Sequence, residues 1–112
     1  MSVAMRIRRS GSEVGKLVRD RIPEIIRAGG GDPVVTVLGD ADYREALLEK
    51  LFEEAAELRE ASAAGVAEEI ADVLEVLRAV AHVHGYEWWD IEKIAEVKRT
   101  ERGAFLERLH LG

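Results

Sequence analysis

Acidic residues recur at helical spacing in two places, Glu53-Glu54-x-x-Glu57 and Glu69-x-x-Asp72. On a helix, residues three or four apart share one face, with Cβ atoms roughly 5–6 Å apart. Two such faces on antiparallel helices gather four or five carboxylates at one place. Mutual repulsion opposes that cluster, and a hard divalent cation favours it. The donors are all oxygen. The chain has no cysteine, and none of its three histidines is spaced to join the acids. The expected ion is therefore Mg2+, with Mn2+ as its substitute, rather than zinc. A cation held by carboxylates polarises a phosphoryl oxygen and lowers the pKa of a bound water.

Cations are also present. The stripe Trp88, Ile91, Ala95 continues into Lys98, Arg99 and Arg102, so an apolar helix face turns basic in its last turns. Bases there complement the helix dipole, which accounts for their place along the axis but not around it. Lys16, Arg19 and Arg21 lie in a mixed segment that, on its own, reads as surface. Trp88 and Trp89 are able to stack on a base, but anchoring a helix start is the simpler role. His82, His84 and His110 read as surface or cap residues.

The elements that position these residues are mostly helical. Pro23 suits the first turn of a short helix through Ile25, Ile26 and Ala28, which Gly29-Gly30-Gly31 stops. Pro33 to Leu38 is β-branched and predicts a short strand over 34–38, with the tail 105–111 as its partner. A second helix is expected from about Asp42, where Asp42-x-x-Glu45 has the form of a capping box, to about Ser62. Its stripe is Leu47, Leu48, Leu51, Ala55 and Leu58. Glu54 falls about 20° from Leu47 on the helical wheel, at the stripe's border. A third helix is expected from about Val66 to His84. Its main stripe is Val66, Ile70, Val73, Leu74, Leu77, Val80 and Ala81. A second stripe, Val76, Ala79 and Val83, shares its face with Glu69 and Asp72. A helix apolar round most of its circumference is buried round most of it, so Glu69 and Asp72 are expected to point into protein, where carboxylates need a cation. That position separates them from an ordinary solvated acidic face. A fourth helix is expected from about Glu87 to Arg102, with Gly103 at its C-cap. The sum is a mostly all-α antiparallel bundle of about four helices with a minor β pair. The apolar surface of the third helix exceeds what its neighbours cover, which predicts a homodimer, or a tetramer.

Composition sets the bounds. The chain has 112 residues, 47% apolar and 34% charged, enough for one domain. Residues 1–15 read as a disordered basic arm and 16–112 as a single domain. No apolar run approaches a membrane span or a signal peptide. The absence of cysteine suits a reducing cytoplasm. The net charge of −6 argues against a nucleic-acid duplex as partner. From Asp40 to Glu75 there are twelve acids against three bases, and from Lys93 onward the balance is positive.

Three segments in order resemble known proteins. Lys16-Leu17-Val18-Arg19-Asp20-Arg21-Ile22-Pro23 is similar to a KLVRDxIP signature. Glu53-Glu54-x-x-Glu57 with Glu69-x-x-Asp72 is similar to an EExxE…ExxD metal motif. Lys98-Arg99-x-Glu101-Arg102-Gly103-x-Phe105 is similar to a KRxERGGF ending, with Ala104 at the second glycine. From Lys16 onward the chain thus resembles the MazG-like and phosphoribosyl-ATP pyrophosphohydrolase-like proteins of the all-α nucleoside triphosphate pyrophosphatase superfamily. Eleven residues separate Glu57 from Glu69, slightly fewer than that motif usually has. The resemblance implies an oligomeric helical enzyme that cleaves a nucleoside triphosphate between the α and β phosphates with Mg2+. It implies Glu54, Glu57, Glu69 and Asp72 as metal ligands, and Glu53 as an auxiliary ligand or the residue that orients the attacking water. It makes Lys98 and Arg102, and more weakly Lys16 and Arg19, candidate substrate contacts. Two alternatives stand beside it: hydrolysis of phosphoribosyl-ATP in histidine synthesis, and a non-catalytic helical module that dimerises through the third helix. A di-iron bundle would require Glu-x-x-His, which the chain lacks.

Overall fold

A helical hairpin forms the frame. The computed structural model describes residues 15–112, and among them are four helices and no strand: α1 (Ile22–Ala28), α2 (Asp40–Glu60), α3 (Val66–Val83) and α4 (Trp88–Arg102). The predicted arm over 1–15 lies, apart from the exposed Gly15, outside the described residues.

α2 and α3 are long enough to need tertiary support and short enough to obtain it from one another. The chain reverses between them in five residues, closed by hydrogen bonds from Ala61 N–H to Leu58 C=O and from Gly65 N–H to Ser62 C=O. So short a link makes the helices antiparallel neighbours. On α2 the inward residues are Tyr43, Leu47, Lys50, Glu54, Glu57 and Leu58, all buried or half-buried. On α3 they are Glu69, Asp72, Val73, Val76, Val80 and Val83. Both stripes follow the three-and-four spacing of a helix face. Both also change character along their length. They are apolar at the open end of the hairpin, where Leu47, Val76 and Ala81 are buried, and acidic towards the turn. Burying a side chain such as Leu47 or Val76 contributes about 1.5–3 kcal/mol. The apolar end holds the acidic end in register.

Chain ends and caps fix the rest. α1 closes in a Schellman motif: Gly30 N–H donates to Arg27 C=O and Gly31 N–H to Ile26 C=O, with Gly30 at φ +98°. A Cβ on Gly31 would lie 2.5 Å from Ile26 Cγ2, so Gly30 and Gly31 meet a geometric requirement as well as forming a stop, while Gly29 has room for a side chain. α3 ends in the same way, with Gly85 at φ +86° and bonds from Gly85 N–H to His82 C=O and from Tyr86 N–H to Ala81 C=O. α4 opens with a reciprocal cap between Glu87 and Asp90, which the sequence reading overlooked. The start of α4 is tied to α3, where the Arg78 guanidinium lies 5.4 Å from the centre of the Trp88 ring. Trp89 is exposed.

Three expectations are corrected. The β pair of 34–38 with 105–111 does not form among the described residues. Val34, Val37, Phe105, Leu109 and Leu111 are almost fully exposed. The tail cannot run as a strand, because Gly103 turns it at φ +87° and Arg108 adopts φ +62° beneath a bond to Phe105 C=O. The capping box at Asp42 is absent: α2 begins at Asp40, with Gly39 as its N-cap and no side-chain cap. Finally, the main apolar stripe of α3 is buried only in part. Val66, Val73 and Val80 are half-buried and Ala81 buried, but Ile70 is 52% and Leu74 41% exposed, and the second stripe, with the two acids, also faces α2. The radius of gyration, 16.9 Å, exceeds the roughly 13 Å of a compact chain of this length, as expected of an open hairpin with two loosely attached ends. No helix among the described residues is long and apolar enough to cross a membrane.

Candidate metal centre

The acids meet because they are level with one another in the hairpin. Glu57 precedes the turn by as many residues as Glu69 follows it, and Glu54, one helical turn further back, is level with Asp72. At 1.5 Å per residue, equal distances from the turn place them side by side. One carboxylate oxygen from each of Glu54, Glu57 and Glu69 lies within 4.8 Å of the others. Glu54 is the most buried of the three, at 1% exposure, and Glu57 and Glu69 are half-buried. An ion with metal–oxygen bonds of about 2.1 Å spans about 4.2 Å between opposite ligands. The trio is therefore within a small side-chain adjustment of holding one ion, and its donor set is of the hard type that Mg2+ takes. These residues could hold a hard divalent cation.

The remaining sequence-predicted acids flank the trio. Asp72, one turn beyond Glu69, is half-buried, and its Oδ1 accepts a 2.8 Å hydrogen bond from Arg19 Nη2. Glu53 accepts a 2.7 Å hydrogen bond from Lys16 Nζ and lies 3.4 Å from Lys50 Nζ. Burial pushes the Glu53 carboxyl up, but the Lys16 hydrogen bond and the charges of Lys50 and Lys16 outweigh it and hold it below the ordinary carboxylate value. Glu53 is thus a fixed anion, suited to orienting a neighbour.

Lys50 is a site residue that the sequence reading did not single out. Its side chain is 10% exposed and lies 3.5 Å from Glu54 Oε2 as well as beside Glu53. The Lys50-x-x-Glu53-Glu54 spacing was the available signal. It reads as a routine surface pair until the burial is known.

Lys16 and Arg19, expected near substrate, are placed against the acids themselves. They tie the segment before α1 to both helices of the hairpin, Lys16 to α2 and Arg19 to α3. Lys98 and Arg102 are exposed on α4, where with Lys93, Ile94, Val97 and Glu101 they line an open groove. None of the clustered acids lines that groove, so a single copy does not join the basic end of α4 to the acidic end of the hairpin.

No family model matches the chain, and no solved structure matches it. A protein of Mycolicibacterium smegmatis (strain ATCC 700084 / mc(2)155), described only as uncharacterized, is 58% identical over 48 residues. That stretch is 43% of this chain and 49% of the M. smegmatis protein, so the chain spans about half the length of the relative it matches.

Proposed function

We propose that this chain is a Mg2+-dependent nucleoside triphosphate pyrophosphohydrolase, cleaving between the α and β phosphates to give a monophosphate and pyrophosphate. The observation that carries the reading is the convergence of Glu54, Glu57 and Glu69 from two helices. The resemblance to MazG-like proteins supports it, since the same residues fall in the metal motif. Bound Mg2+ would neutralise phosphate charge and supply an activated water. The chain's own part is to position. Glu54, Glu57 and Glu69, with Asp72 one turn on, would hold the ion. Glu53, an anion fixed by two lysines, is placed to orient a water beside Glu54. Lys98 and Arg102 are the phosphate contacts of this reading, with Lys16 and Arg19 nearer the acids. Phosphoryl transfer depends mainly on such positioning and charge neutralisation.

The reading includes a homo-oligomer, a dimer first. Its support is the exposed row Ile70, Leu74 and Leu77 on α3, one helix face left uncovered among the described residues. The same row favours the second reading, a non-catalytic dimerisation module. A panel of nucleoside triphosphates and phosphoribosyl-ATP, incubated with Mg2+ and assayed for pyrophosphate, separates the readings. Release from one or more triphosphates is expected. Release from phosphoribosyl-ATP alone would assign the enzyme to histidine synthesis, and no release would leave the module.

A further inference from the structure

The segment before α1 does something that a surface strand has no need to do: it places two cations on two acids of the candidate metal centre. Lys16 reaches Glu53 on α2 at 2.7 Å, and Arg19 reaches Asp72 on α3 at 2.8 Å. The two contacts differ in kind. Lys16 is largely covered, with its side chain 22% exposed. The chain after it is held by half-buried Leu17 and Val18 and by buried Ile22. Arg19 lies between these anchor points, and over half of its side chain is in solvent. Lys16 is therefore the fixed end of a strap and Arg19 its releasable arm.

We infer that Arg19 is a built-in stand-in for the divalent cation, exchanged from Asp72 to substrate phosphate when the metal binds. This rests on the magnesium reading of the acidic centre. Asp72 lies one turn from Glu69 on the inward face of α3, so a cation held by Glu69 is a near neighbour of the guanidinium. Two positive groups competing for one carboxylate repel, and the more weakly held one leaves. Arg19 has the exposure to leave and the planar donor fork to bind a phosphate in two places. Metal and nucleotide then favour each other's binding, because the phosphate gives the displaced arginine a partner. Lys16 keeps the arm within reach.

The test is calorimetric titration of Mn2+ alone into the full chain, without nucleotide, followed by KM measurements with Mg2+ and a nucleoside triphosphate. Arg19→Gln removes this competitor. Because an exposed ion pair contributes modestly, Mn2+ affinity should rise by roughly two- to fivefold. KM should rise in the same variant. Arg19→Lys keeps a charge on Asp72 and should bind Mn2+ as wild type does. Glu54→Gln should lose Mn2+ binding. A wild type that binds no Mn2+ beside an Arg19→Gln variant that binds it would also support the exchange. Arg19→Gln binding no more tightly than wild type, while Glu54→Gln loses the ion, would overturn the exchange and leave the metal site standing. Equal tightening in Arg19→Lys would overturn it too, since a loosened segment rather than a lost competitor would then be the cause. Failure of every variant to bind would remove both the exchange and the metal reading.

Discussion

Replacing Glu54 by Gln keeps the side chain's shape and removes one charge from the most buried position of the acidic centre. Oxygens of Glu54, Glu57 and Glu69 lie within 4.8 Å of one another, so each pair repels by at least about 3.5 kcal/mol at an effective dielectric of about 20. Lys50, 3.5 Å from Glu54, returns about 4.7 kcal/mol of attraction on the same scale. The substitution removes two of these repulsions and this attraction, a gross change of about 2 kcal/mol in favour of the metal-free fold from these charges alone. Even half of that raises Tm by about 4–8 °C in a domain near 100 residues. Wild type should instead gain stability from Mg2+, about 1.4 kcal/mol at ten times its Kd, because only the folded chain presents the site. The assay is a set of melting curves for wild type and Glu54→Gln in EDTA and across a Mg2+ series. In EDTA the variant should melt no lower than wild type, and it should not respond to Mg2+. A variant that melts several degrees lower in EDTA and keeps the full Mg2+ shift would refute the reasoning. Glu54 would then be a structural partner of Lys50, whose loss leaves a buried charge uncompensated.

Other expectations follow from the same structure. Lys98→Ala removes an exposed side chain, so the stability change should stay within about 0.5 kcal/mol while KM rises or kcat falls; unchanged kinetics would return Lys98 to complementing the α4 dipole. Glu53 has a folded-state pKa below its unfolded one, so its contribution is complete above the unfolded value, near 4.3, and is lost as pH falls through the folded one. Lys16→Met should therefore melt lower than wild type at pH 7, with the gap closing below about pH 4; a gap independent of pH would mean that Lys16 acts through packing rather than through Glu53. Light scattering should give a multiple of the 12.4 kDa chain mass, reduced towards one copy by Leu74→Lys; a monomeric wild type would remove the oligomer.

Much of this was legible in the residues because helix faces are periodic. The position of Glu54 at the border of the Leu47 stripe anticipated its burial, and the placing of Glu69 and Asp72 beside Val76 anticipated their inward orientation. Which apolar face of α3 turns inward was not legible. Ile70 and Leu74 are at least as apolar as Val76 yet are exposed, while Val73, Val80 and Ala81 of the same stripe are at least half-buried, a division that apolarity alone does not report. The strand over 34–38 was a sound local inference that lacked a partner, since the backbone at Gly103 and Arg108 breaks the tail. Lys50 was hidden because the same spacing describes buried and exposed pairs. The contacts of Lys16 and Arg19 join residues 37 and 53 positions apart, and no periodicity reports a contact of that range.

The central claim is tested most directly by the products formed from a nucleoside triphosphate with wild type and Glu54→Gln, each with Mg2+ and with EDTA. Wild type with Mg2+ should release pyrophosphate and nucleoside monophosphate in equal amounts, and EDTA or the Gln substitution should abolish both. Orthophosphate with nucleoside diphosphate as products, or pyrophosphate release that persists in EDTA or in Glu54→Gln, would contradict it.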